Sequence, residues 1–170
     1  SALSQGTYVL NAKVIDVAGN VSIASSSFTT TVDTTAPTVS SVAISSATGA
    51  LNSTLNAGDV VTATVTMSEA ITVSGSPQLA LNIGGTTVQG TYDSVNSTAT
   101  ALKFNYTILS GQTDTNGISV VANSLGLNSG TIVDLAGNTA TITHSLVADN
   151  SLYKVDTTAP TTTVSSVAFS

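Results

Sequence analysis

The chain has no cysteine, no tryptophan and no arginine, and it has only one histidine. Each absence removes a class of function. Without arginine, and with three lysines against nine acids for a formal charge of −6, there is no basic surface for a phosphate backbone, so nucleic acid is excluded as a partner. Anionic membrane surfaces are disfavoured on the same ground. A lone His144 and no cysteine make a zinc site improbable. No Gly-x-Ser-x-Gly elbow stands near a histidine and no Gly-x-x-x-x-Gly-Lys phosphate loop occurs, so the reading is of a protein that is not an enzyme. His144 is expected on a solvent-facing or edge position. No apolar run approaches 18 residues, and no charged segment leads into an apolar one, so neither a membrane span nor a signal peptide is read. If the chain is exported, the address is expected elsewhere in a longer protein.

What is abundant is β-branched and small. Charged residues are only 7% of the chain and hydrophobic ones 41%, which is not the composition of a disordered segment. Valine, isoleucine and threonine favour strands, and glycine, asparagine, aspartate and serine supply turns, which gives an all-β class. Strict alternation marks several strands. Val61, Ala63, Val65 and Met67 share one face, Leu79, Leu81 and Ile83 another, and Leu102, Phe104, Tyr106 and Ile108 a third. Turn signals such as Ile83-Gly84-Gly85-Thr86 separate them, and no segment carries helical periodicity.

The chain also repeats itself. Val32-Asp33-Thr34-Thr35-Ala36-Pro37 recurs letter for letter as Val155-Asp156-Thr157-Thr158-Ala159-Pro160. Val39-Ser40-Ser41-Val42-Ala43-Ile44-Ser45 returns as Val164-Ser165-Ser166-Val167-Ala168-Phe169-Ser170, and Asp16-Val17-Ala18-Gly19-Asn20 returns as Asp134-Leu135-Ala136-Gly137-Asn138. Tandem modules follow. Residues 1–32 read as the C-terminal part of a preceding module, 33–37 as a linker, 38–155 as a complete module, 156–160 as a second linker, and 161–170 as the first strand of a following module. Pro37 and Pro160 stiffen the two junctions.

The runs Gly58-Asp59-Val60-Val61, Met67-Ser68-Glu69-Ala70, Gly75-Ser76-Pro77-Gln78-Leu79, Asn116-Gly117-Ile118-Ser119 and Val133-Asp134-Leu135-Ala136-Gly137-Asn138 resemble the bacterial immunoglobulin-like tandem repeats of large RTX/Bap-type surface adhesins. Residues 5–37 are similar to the last two strands of a related, shorter repeat. The resemblance implies immunoglobulin-like β-sandwich modules in tandem, calcium at module junctions, and a secreted protein on the bacterial cell surface with a spacing, adhesive or biofilm-forming role.

Two readings stand side by side for the acids. Asp16 with Asn20, and Asp134 with Asn138, make Asx turns in which a side chain satisfies backbone N–H groups and glycine supplies positive φ. They also serve as Ca²⁺ ligands, because that ion takes six to eight oxygens, several of them carboxylate. A strand of about 12 residues spans roughly 40 Å, so Asp16 and Asp33 fall at opposite ends of one module and cannot share an ion. Asp33 leaves the linker where the next module begins. In an immunoglobulin-like meander the turn holding Asp134 lies at that end, and Glu69 follows a strand running back towards it. One Ca²⁺ held by Asp33, Glu69, Asp134 and Asn138 is therefore expected. Asp16 and Asn20 would serve a preceding linker, and Asp156 a following module. Asp59 is read as starting a strand, and Asp93, Asp114 and Asp149 as solvated turn residues.

The resulting expectation is a calcium-rigidified extender whose partners are the neighbouring modules of its own chain, with any surface or host ligand bound elsewhere in the protein. The residues leave two alternatives open. One is a module binding a glycan or host protein through its loops, against which the absence of tryptophan weighs. The other is self-assembly into a filament or surface layer by strand exchange.

Overall fold

The computed structural model describes residues 2–161, all strand, turn and irregular chain with no helix. The expected strand of residues 161–170 lies, from residue 162 onwards, outside the described residues. Two bodies of structure follow one another: a two-stranded ribbon, then a layered β-structure with its own core.

The ribbon pairs β1 (Gly6–Leu10) with β2 (Phe28–Val32), antiparallel, from Gly6↔Val32 at its base to Leu10↔Phe28. Beyond these strands the arms stay together through the bridge Ile15↔Val21, and the turn at Asp16 closes the tip. Asp16 and Asp33 thus sit at opposite ends of the ribbon. Two strands enclose no interior. Val9, Val14, Ile15, Val17, Val21, Ile23 and Phe28 are accordingly exposed.

From Val39 onwards a core forms. Six strands make the main sheet: β3 (Val39–Thr48), β5 (Val60–Met67), β7 (Gln78–Ile83), β8 (Thr86–Tyr92), β9 (Ala101–Thr107) and β11 (Ser119–Gly126), in the order β11-β7-β8-β9-β5-β3. The pairings along it are antiparallel, and of them β7–β8 is closed by a tight hairpin. The β7–β8 hairpin turns on Gly84 and Gly85, with φ of 55° and 85°, the paired positive values of the tight turn that matches strand twist.

Two smaller sheets close the other side. β4 (Thr54–Leu55), β10 (Thr113–Asp114) and β13 (Lys154–Asp156) form one, in the order β10-β13-β4; β6 (Ile71–Ser74) and β12 (Thr131–Asp134) form the other. Alternation dictates the packing. Every second residue of β5, namely Val61, Ala63, Val65 and Met67, is buried, and so are Leu79, Leu81, Ile83, Leu102 and Phe104. They meet Leu55, Ile71, Ile118, Ile132 and Val155 in one continuous apolar cluster. Phe104 is fully buried and its ring lies 5.8 Å from that of Tyr92.

Ile108 is buried just past the end of β9, while Tyr106 is only half-buried. After Asn138, residues 139–147 hold to their neighbours by single bridges at Thr139, Thr141 and Val147 and by hydrogen bonds of Ala140 and His144.

Candidate metal centre

The centre is assembled by sheet register. The β12–β6 ladder ends on the rung Asp134↔Ile71, which sets Asp134 beside the start of β6. Glu69 lies two residues before Ile71, in the turn from β5. The adjacent Ser68 is bound into the first residues of the module: its N–H donates to the Thr38 carbonyl at 2.8 Å, and its Oγ accepts the Thr38 N–H at 2.9 Å. Buried Pro37 is held as well, its carbonyl accepting the Thr141 N–H at 2.8 Å.

The linker is braced from both sides. Gln5 Oε1, on the ribbon, accepts the Thr34 N–H at 2.8 Å and the hydroxyls of Thr34 and Thr35 at 3.0 Å each. From the module, the Asn138 side-chain amide donates to the Asp33 carbonyl at 3.1 Å. Asp33 turns its own Oδ1 onto the Thr35 N–H at 3.0 Å. One carboxylate oxygen each from Asp33, Glu69 and Asp134 then lie within 4.8 Å of one another, Asp134 buried and the other two half-buried. The chain's lysines, at positions 13, 103 and 154, lie in none of these three segments.

Asn138 reaches the same centre through its side-chain amide. Its amide nitrogen donates to Asp134 Oδ2 at 2.7 Å as well as to the Asp33 carbonyl. It positions two of the acids. Asp134 Oδ1 also accepts the N–H groups of Ala136 and Asn138 at 2.8 Å each. Burial pushes the Asp134 pKa up, but the Asn138 amide and the backbone N–H groups of residues 136–138 outweigh it and hold the carboxyl below its ordinary value.

The sign of the pH effect follows. A folded-state pKa lower than the unfolded one contributes stability that is present above about pH 3.9 and is lost as pH falls through the lower, folded value. The melting temperature is therefore expected to drop between about pH 5 and about pH 2, with a shallower drop in Asp134→Asn. Equal slopes for the two proteins would refute this assignment.

The other expected residues are placed apart. Asp16 and Asn20 build the same turn as Asp134 and Asn138: Asp16 Oδ1 accepts the Asn20 N–H and Oδ2 its side-chain amide, both at 2.8 Å, and Gly19 and Gly137 have φ of 89° and 93°. Asn20's amide, then its N–H, hold the Asp16 carboxyl low. This copy is exposed and joins no other group of acids among the described residues. Asp156 repeats the Asp33 turn, its Oδ1 accepting the Thr158 N–H at 2.9 Å, and it belongs to no group of three or more such acids among the described residues.

Compared with family models, curated proteins and solved structures, the chain gives no match.

Among the acids read as solvated, Asp114 is a correction. It is 4% exposed and bonds the N–H groups of Gly84 and Gly117 at 2.8 Å each, because β10 pairs it with Val155 across the smaller sheet. Asp93 is half-buried and holds its own turn through Val95 and Asn96, while Asp149 is exposed and bonds Asn116. Asp59 caps the turn before β5, accepting the Asn56 N–H at 2.7 Å. His144 is half-buried, its Nε2 accepting the Ser124 N–H at 3.0 Å.

Proposed function

We propose that the chain is an extender segment of a secreted bacterial surface adhesin, built from tandem immunoglobulin-like modules whose joints are stiffened by Ca²⁺. The observation that carries this reading is the convergence of Asp33, Glu69 and Asp134, one acid from the linker and two from the module it enters.

The donor set suits the ion. Three carboxylate oxygens with no imidazole or thiolate are hard ligands, which selects Ca²⁺ or Mg²⁺ over zinc. Bonds of 2.3–2.6 Å let ligands on opposite sides of a calcium ion stand about 4.6 to 5.2 Å apart, which accommodates a spread of up to 4.8 Å. Magnesium, with bonds near 2.1 Å, needs them within about 4.2 Å. Backbone carbonyls and water would complete the shell.

The repeats give the joint a purpose. Identical turns at Asp16 and Asp134, and identical linker turns at Asp33 and Asp156, mean that each junction can be built in the same way. Without an ion, three like charges repel across the joint. With one, the linker is tied to the module. A string of such joints is a stiff stalk, and low charge with no catalytic constellation suits that role.

Calorimetry is expected to show one Ca²⁺ per chain, lost in Asp33→Asn. Small-angle scattering is expected to report a narrower distribution of ribbon-to-module orientations in calcium than in chelator. Absence of calcium binding together with superimposable scattering curves would overturn the proposal.

A further inference from the structure

Strand β3 forms the outer edge of the main sheet and is paired there only with β5. At its start the chain belongs to a second ladder: Thr38 bridges Thr141 in parallel, and the Thr141 N–H donates to the Pro37 carbonyl. That ladder stops after one rung. The β3–β5 register slips between Val39 and Ser41, and beyond that irregularity β3 follows β5 and leaves residues 143–147 behind. The gap is a cleft of about 340 Å³ between residues 39–42 and 143–147, within the size range of sites that hold a ligand.

One wall of this cleft is an interrupted strand edge. In extended chain, N–H groups two residues apart point the same way, so that of Thr143 follows that of Thr141 towards β3. Among the described residues the Thr143 N–H and C=O and the Ser145 N–H have no hydrogen-bond partner. The far side of the same segment is committed to the module through Asn123 N–H to His144 C=O and through Val120↔Val147. No lysine and no acid lines the cleft.

We infer that this cleft accepts residues 164–170 of a second copy of the chain as an added parallel strand. The occupant follows from continuity with the ladder already begun. The sequence that pairs with Thr141 is the start of the module, and Val164–Ser170 repeats Val39–Ser45 with the single change of phenylalanine for Ile44. A second strand of this sequence continues along residues 143–147 in the register that β3 abandons. It satisfies the free backbone groups, and being uncharged it brings no charge into an uncharged cleft. The contact is heterologous, residues 164–170 of one copy against the cleft of the next, so it propagates from copy to copy. The inference does not rest on calcium.

Sedimentation of the full chain in chelator tests it, with a synthetic peptide of residues 161–170 as competitor. The weight-average mass is expected to climb above 16.8 kDa with concentration and to return to that value when the peptide is added in excess. The same peptide carrying Val167→Pro, which lacks the central N–H, is expected to need at least about tenfold more for the same effect. Thr143→Pro in the chain should abolish the association, and the peptide comparison stands whether or not that variant folds. A mass that stays at the single-chain value throughout would overturn the inference. So would association indifferent to the peptide, which would point to the exposed apolar side chains of the ribbon.

Discussion

Replacing Asp114 by alanine is expected to lower the free energy of unfolding by about 3 to 5 kcal/mol, since it removes two charge-assisted hydrogen bonds, each contributing roughly 1.5 to 3 kcal/mol. Both donors are backbone groups at sites of close approach. A Cβ on Gly84 would stand 2.0 Å from the Thr113 carbonyl oxygen, and one on Gly117 2.0 Å from the Asn150 carbonyl oxygen. Asp114 therefore fastens the β7–β8 turn and the loop before β11 to the smaller sheet where backbones approach closely. Left without the carboxylate, the N–H of buried Gly117 loses its acceptor inside the protein and the N–H of Gly84 loses its tie to the smaller sheet. Asp114→Asn keeps one oxygen for two donors and should fall between the two. At about 2 to 4 °C per kcal/mol for a chain of this size, the alanine variant melts roughly 10 °C lower. Urea denaturation measures the loss directly, and a loss under about 1 kcal/mol would show that the carboxylate is not the fastening.

Asp114 also marks the limit of what could be read from residue order. Its neighbours Thr115, Asn116 and Gly117 have turn composition, and its burial comes from a partner 41 positions away, Val155, which no local pattern announces. One local signal was available. Asn82 Oδ1 accepts the Gly85 N–H at 2.8 Å, and Asp114 Oδ1 accepts the Gly117 N–H at the same spacing, so an Asx residue three before a glycine marks a braced turn at both places. By contrast the faces of β5 were legible outright, because a half-buried strand writes its burial as alternation, whereas in β7 Ala80 is buried between Leu79 and Leu81.

The joint was legible only in part. Repetition marked Asp33, Asp134 and Asn138 as belonging to one kind of junction, and chain direction placed Glu69 near them. The atoms that hold the linker were silent. Gln5 sits among residues with no pattern of their own, yet its Oε1 takes three hydrogen bonds from Thr34 and Thr35. The amide of Asn138 likewise donates to Asp134 and to the Asp33 carbonyl, a pairing 105 residues apart that composition does not announce. Both braces act without an ion, so the linker approaches the module already shaped, and the cost of ordering it is reduced before any cation arrives.

That preorganisation sets up the second large effect. Glu69→Gln is expected to change sign with conditions: a melting temperature equal to or above the parent's in chelator, and below it in calcium. Glu69 is half-buried and, among the described residues, makes no hydrogen bond, so in chelator the substitution removes only a charge. Two unit charges 4 Å apart repel by about 1 kcal/mol in bulk water and more in a partly buried site, so their removal relieves the joint. In calcium the same charge is a ligand. If the ion is present at about 100 times its dissociation constant, binding stabilises the parent by about 2.7 kcal/mol, or roughly 5 to 10 °C, and the variant forfeits most of that gain. Asp134→Asn makes a poor comparison, because Asp134 also holds its own turn and would destabilise under both conditions. Asp33→Asn is the better companion, since asparagine can still accept the Thr35 N–H and keep the linker turned. A Glu69→Gln protein that melted below the parent by the same margin in chelator and in calcium would mean that the three acids are packed for structure alone.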